Sequence, residues 1–153
     1  MSLPGKLISI LIADDDPDDR MLIKRALKRS HLYNDPHFVG DGEELLDYLY
    51  QRGTYAEPGA APRPGLILLD LNMPKKSGRE ALAEIKADPH LRTIPIVVLT
   101  TSRAEEEIYR SYDLGANSFI TKPVTFTAMV EVMQAVSSYW FVIVELPPDT
   151  IGG

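Results

Sequence analysis

Leu7 to Ala13 reads LISILIA, an almost unbroken apolar run that stops at Asp14-Asp15-Asp16-Pro17. So short a run without polar alternation is the pattern of a strand buried on both faces of a sheet. The pattern returns at His37-Phe38-Val39, at Leu66 to Leu69 ending on Asp70, at Ile94 to Leu99 ending on Thr100, and at Ser118 to Ile120 ending on Lys122-Pro123. Segments of helical period separate these runs. Pro17 suits a first helical turn with Asp16 as N-cap, and Met21, Leu22, Ala26 and Leu27 are expected on one side of that helix. Asp41 followed by Glu44 resembles a capping box opening a helix with Leu45, Leu46 and Leu49, which Gly53 stops. Gly53 to Gly65, rich in Pro, Gly and Ala, is expected to be an exposed loop. A helix with Ala81, Leu82 and Ile85 should end at Asp88-Pro89, another with Ile108, Tyr112 and Leu114 at Gly115, and a last one should start near Thr125 with Met129, Val130, Met133 and Val136 inward.

Five buried strands alternating with five helices predict an α/β fold, a parallel sheet covered on both faces. At 153 residues the chain is one domain's worth and needs no covalent staples, which suits the absence of cysteine. That absence excludes disulfide frameworks, Cys-ligated zinc, iron–sulfur clusters and thiol nucleophiles. The balance of 16 Lys+Arg against 22 Asp+Glu, net −6, argues against a nucleic-acid partner. No stretch reaches the roughly 18 apolar residues a membrane helix requires. The amino end, MSLPGKLIS, lacks the pattern of a secretory leader. The expectation is a soluble, acidic protein of the cytoplasm, with a tail over residues 1–6, a domain over 7–138 and an extension over 139–153.

In sheets of this kind ligands bind outside the carboxyl ends of the strands, near the point where strand order reverses. The residues that follow the strands here are Asp14-Asp15, Asp70, Thr100 and Lys122, all polar and chemically useful. Carboxylates gathered at one edge repel one another unless a cation sits among them, and their hard oxygens suit Mg²⁺, which also likes to share a phosphate. Lysine supplies a compact positive charge for a phosphoryl oxygen, and threonine a hydroxyl. Together these groups describe an aspartate nucleophile that accepts a phosphoryl group.

On the strength of Ile12-Ala13-Asp14-Asp15, Asp70-Leu71-Asn72-Met73-Pro74 with Gly78, Leu99-Thr100 and Lys122-Pro123, in that order and at that spacing, the sequence resembles the receiver domains of two-component response regulators. The resemblance spans residues 7 to 138 and implies the flavodoxin-like doubly wound fold with strand order 2-1-3-4-5. It implies Asp70 as phosphoacceptor for a sensor histidine kinase. Asp15 and Asp70 would hold Mg²⁺ directly, Asp14 through water and Asn72 through its backbone carbonyl. Thr100 and Lys122 would contact the phosphoryl oxygens. A switch is implied as well, in which Thr100 moves toward Asp70 and Phe119 turns inward. Many relatives have tyrosine at the position of Phe119, and phenylalanine keeps the packing change without a hydroxyl contact. Thr101 is bulkier than the residue that commonly follows the switch threonine, and the added bulk is expected to slow hydrolysis of the acyl phosphate. The long loop before the third strand and the run after Asp70 are similar to the small stand-alone regulators that pair with phytochrome-type kinases.

Other features read more plainly. Asp16, Asp18 and Asp19 are read as helix N-terminus residues favoured by the dipole. His31, His37 and His90 lack ligand spacing and are read as surface or packing residues. Lys24, Arg25, Lys28 and Arg29 form a charged helix face that could help dock a kinase. After the last helix, Tyr139, Trp140, Phe141, Val142, Ile143 and Val144 are too apolar to leave in water; they either extend that helix or fold back on their own core, or, as the favoured expectation, form a homodimerisation arm. Two other functions remain open at this point. A haloacid-dehalogenase-type phosphatase also uses an aspartate nucleophile, although it wants a second Asp where Asn72 stands. A dimerisation module independent of phosphorylation would need none of the strand-end residues.

Overall fold

The apolar runs do form the interior strands, all pairing in parallel. The computed structural model describes residues 9–30, 36–71, 73, 75–100, 118–123 and 125–140, with residues 30, 100, 118, 119 and 137–140 described by backbone alone. The elements are β1 (Ile10–Ala13), α1 (Pro17–Ser30), β2 (His37–Val39), α2 (Gly42–Tyr50), a 3₁₀ turn at Gly53–Tyr55, β3 (Leu66–Asp70), α3 (Gly78–Ala87), β4 (Ile96–Thr100), β5 (Ser118–Thr121) and α4 (Phe126–Trp140). The sheet order is β2-β1-β3-β4-β5, as expected. The helix anticipated after Thr100 lies outside the described residues, as do Leu7, His31, Thr101, Phe141 and Ile143. No helix among the described residues is long and apolar enough to cross a membrane.

Alternation along each strand sends successive side chains to opposite faces, and both faces are covered. Leu11, Ala13, Ile67, Leu69, Ile96 and Val98 pack with Leu45 and Leu46 of α2 and with Ala81, Leu82 and Ile85 of α3. Ile10, Ile12, Leu66, Leu68, Val97 and Leu99 pack with Ile23, Ala26 and Leu27 of α1 and with Met129, Met133 and Val136 of α4. The inward stripe of α1 therefore runs through Ile23, Ala26 and Leu27, spaced i, i+3, i+4. Met21, expected inward, is instead 53% exposed, because it sits about 200° around the helix from Ile23.

Strand and helix ends follow local hydrogen bonding. β4 starts at Ile96 rather than Ile94, since the Ile94 N–H donates to the Leu91 carbonyl in a turn and Pro95 has no N–H to give. Asp41 caps α2 by accepting from the Glu44 N–H at 2.7 Å, but the reciprocal bond goes from Gly40 N–H to Glu44 Oε1 at 2.8 Å, so the box is offset by one residue. A complete capping box opens α3 between Ser77 and Glu80. The expected exposed loop is instead partly packed: Ala61 and Pro64 are buried, Tyr48 donates to the Pro62 carbonyl and Gln51 to that of Ala61. Tyr48 of α2 and Gln51, which caps that helix, thus supply donors to carbonyls of this segment. α4 continues to Trp140, so the expected boundary at 138/139 falls within its last turn.

Candidate functional site

Register builds the site. Ala13 pairs with Leu69, which sets Asp14 and Asp70 side by side at the carboxyl edge where strand order reverses. Asp70 is the last residue of β3, and its partner on β4 is Leu99. Lys122 follows directly on β5, two strands away from β3, a gap of about 10 Å between backbones. A lysine stem is long enough to close it. The Lys122 ammonium lies 2.8 Å from Asp14 Oδ2, 2.6 Å from Asp19 Oδ2 and 3.1 Å from Asp70 Oδ2. Asp14, Asp70 and Lys122 are the buried polar side chains among the described residues.

The start of α1 is tied to this edge. Asp16 N–H donates to Asp14 Oδ1 at 2.9 Å, Asp18 N–H donates to Asp16 Oδ1 at 2.8 Å, and Arg20 Nε–H donates to the Asp14 carbonyl at 2.6 Å. Asp14 N–H in turn donates to the Val39 carbonyl at 3.0 Å, joining the site to β2. On the other side Gly78 closes the loop after β3. A Cβ on Gly78 would lie 2.7 Å from Leu71 Cα and collide with the Asp70 carbonyl oxygen, so only glycine permits this approach. Gly42 similarly allows the start of α2 to meet that loop, its N–H donating to the Lys76 carbonyl at 2.8 Å.

Electrostatics follow from burial and pairing. Burial pushes the Asp14 carboxyl above the usual carboxylate range, with the Asp70 charge adding to the rise while Lys122 and the Asp16 N–H oppose it. For Lys122, burial would favour the neutral amine. Hydrogen bonds and charges from Asp14, Asp19 and Asp70 outweigh burial and hold the ammonium above its ordinary value. Asp14, Asp15 and Asp70 each offer a carboxylate oxygen, all lying within 4.8 Å of one another. Three hard oxygen donors so close together fit a divalent cation, which would relieve their repulsion.

Of the residues singled out in the sequence, Asp14, Asp70 and Lys122 are brought into direct contact and Asp15, exposed, stands beside them. Thr100 ends β4, pairing with Thr121, and Phe119 pairs with Val98, while their side chains lie outside the described residues, as does Asn72. Tyr139 and Trp140 belong to α4 by backbone, with side chains outside that set. Asp19 stands in the first turn of α1, as read from the sequence, and it also contacts Lys122. No sequence period signals that a first-turn residue of α1 reaches a lysine 103 positions away.

The sequence profile of the response regulator receiver domain matches residues 10–134. The chain belongs to this family. Among receiver relatives, response regulator Rcp1 of Synechocystis sp. is 42% identical over 146 residues, covering 95% of this chain and 96% of Rcp1. The crystal structure of the phosphorylated cyanobacterial phytochrome response regulator RcpA is 43% identical, covers 89% of this chain and 95% of RcpA, and superimposes with a TM-score of 0.80. The Mn²⁺-bound form of Rcp1 is 41% identical, with coverage of 92% and 99% and a TM-score of 0.80. The receiver is thus a signalling domain, with Asp14, Asp70 and Lys122 gathered at the carboxyl edge of its sheet.

Proposed function

We propose that this chain is a single-domain response regulator of the cytoplasm that takes a phosphoryl group from a sensor histidine kinase onto Asp70. The contact between Lys122 Nζ and Asp70 Oδ2, inside a cluster of buried acids at the carboxyl edge, carries the reading. In the reaction a carboxylate oxygen of Asp70 bonds to phosphorus as the bond from phosphorus to the donor imidazole nitrogen breaks. The kinase histidine leaves with that electron pair. Lys122 keeps its proton and donates to a phosphoryl oxygen, and the Thr100 hydroxyl is assigned to another. Asp14, Asp15 and Asp70, with the backbone carbonyl of Asn72, would hold Mg²⁺. When bound, that ion supplies positive charge for the phosphoryl oxygens.

Output follows from Thr100, the last residue of β4, and Phe119 within the neighbouring β5. Thr100 drawn toward the phosphoryl group leaves space for Phe119 to turn inward, a population shift biased by new charge-assisted bonds. The kinase is of the phytochrome class, as the description of RcpA as a phytochrome response regulator suggests. The apolar residues Tyr139, Trp140, Phe141 and Ile143 form a homodimer contact, so deleting residues 139–153 should convert a dimer to a monomer by light scattering. A dimer that survives the deletion refutes that part.

Acetyl phosphate with Mg²⁺ tests the main reading. The intact protein should gain the mass of one phosphoryl group, and Asp70→Asn should gain none. Rapid turnover of phosphoesters without a stable adduct would point to the phosphatase chemistry instead, which membership in the receiver family disfavours.

A further inference from the structure

Asp19 has no part in the mechanism above, yet it makes the shortest of the three contacts to Lys122, at 2.6 Å. An ammonium has three N–H donors, and Asp14, Asp19 and Asp70 take one each. Phosphoryl transfer upsets this allotment. A carboxylate oxygen of Asp70 becomes bonded to phosphorus, and a Lys122 donor must pass from Asp70 to a phosphoryl oxygen. Asp14 belongs to the acidic trio whose oxygens would turn to a divalent cation. Asp19 lies outside that trio.

We propose that Asp19 is a positioning residue for phosphotransfer, a fixed tether that keeps the Lys122 ammonium aimed at Asp70 while its other partners change. The inference rests on the phosphoacceptor reading of Asp70. The tether is anchored because the first turn of α1 is locked to the end of β1 by the bonds from Asp16 N–H and Arg20 Nε–H to Asp14. Its side chain is 23% exposed, so its carboxylate stands at the rim of the buried cluster while it accepts from Lys122. A lysine stem is flexible, and each charge-assisted bond that holds its head restricts the rotamers it samples. Loss of the tether therefore spreads the ammonium over orientations that do not reach the phosphoryl oxygen. In the step itself the oxygen–phosphorus bond to Asp70 forms while the phosphorus–oxygen bond to acetate breaks, and acetate leaves with the electron pair. The ammonium changes acceptor without losing a proton.

The test measures phosphorylation by acetyl phosphate with Mg²⁺, followed by intact-protein mass spectrometry, for the wild type, Asp19→Asn, Asp19→Glu, Lys122→Ala and the Asp19→Asn/Lys122→Ala pair. Asp19→Asn should lower the maximal rate roughly five- to tenfold, with the half-saturating acetyl phosphate concentration and the Mg²⁺ affinity within about threefold of wild type. Asp19→Glu should recover at least half of the rate. In the Lys122→Ala background, Asp19→Asn should change nothing, because the residue acts through the lysine. An unchanged or faster rate for Asp19→Asn overturns the inference, as does an equal loss when Lys122 is absent. A wild type that takes up no phosphoryl group would instead remove the phosphoacceptor reading, and the inference with it.

Discussion

Replacing Lys122 with methionine asks what one cation does for a buried nest of acids. The side chain is 6% exposed and its ammonium contacts Asp14, Asp19 and Asp70 at 2.8, 2.6 and 3.1 Å. Methionine keeps most of the stem volume, so little packing is lost. What remains is Asp14 at 2% and Asp70 at 8% exposure, facing each other with no counter-charge from Lys122. Removing one partner from a buried ion pair costs about 3–5 kcal/mol, and Asp19, the more solvated member, adds little. A net loss near 3 kcal/mol is expected in chelator at neutral pH, which for a domain this size lowers Tm by roughly 6–12 °C. The sign with pH is fixed by Asp14. Its carboxyl is already raised by burial and rises further without Lys122, so the folded state binds more protons than the unfolded state as pH rises through the carboxylate range. The deficit should grow from acid toward neutral pH and largely vanish once Asp14 is protonated. Mg²⁺ should return part of the lost stability, because it binds only the folded cluster. Urea unfolding by circular dichroism at acid and neutral pH, with chelator and with Mg²⁺, gives all three comparisons. A variant as stable as wild type in chelator at neutral pH would refute the reasoning.

Gly78→Ala should cost about 1–3 kcal/mol and weaken divalent-cation binding about tenfold, because the new Cβ meets the Asp70 carbonyl and Leu71 Cα. Titration with Mn²⁺ followed by electron paramagnetic resonance would show it, and unaltered affinity would mean the loop accommodates the methyl. Tyr48 is buried with its hydroxyl donating to the Pro62 carbonyl at 2.9 Å, and burial pushes it up to about 12. The unfolded tyrosine ionises near 10.0, so stability falls as pH climbs above that value, the native state keeping a proton the unfolded chain has released. Tyr48→Phe should be about 1 kcal/mol less stable below pH 10, and the gap should narrow or reverse by about pH 11 in urea titrations. A gap independent of pH would contradict this.

How far the sequence could be read depended on which forces act locally. Runs such as Leu66 to Leu69 are legible because a strand covered on both faces cannot be polar on either, and the covered faces contain these residues. Asp14, Asp70 and Lys122 are legible for a related reason: each directly follows or ends a strand, and parallel strands bring those ends to one edge. Asp19 is not, since its partner is fixed by the packing of α1 beside the sheet rather than by any spacing. Met21 misled because apolar residues adjacent in sequence need not share a helix face. The Ser77–Glu80 capping box was not anticipated, although Ser-Gly-Arg-Glu has the spacing such a box needs. The bonds from Tyr48 and Gln51 to the Pro62 and Ala61 carbonyls had no local signal, because proline- and glycine-rich composition describes chain direction and not which carbonyls find donors.

The most direct measurement locates the modified atom. After treatment with acetyl phosphate and Mg²⁺, borohydride reduction converts an aspartyl phosphate to homoserine, and peptide mass spectrometry reports the position. The account predicts homoserine at position 70 alone, dependent on the divalent cation. Reduction at Asp14 or Asp15, or label on another residue type, would contradict it.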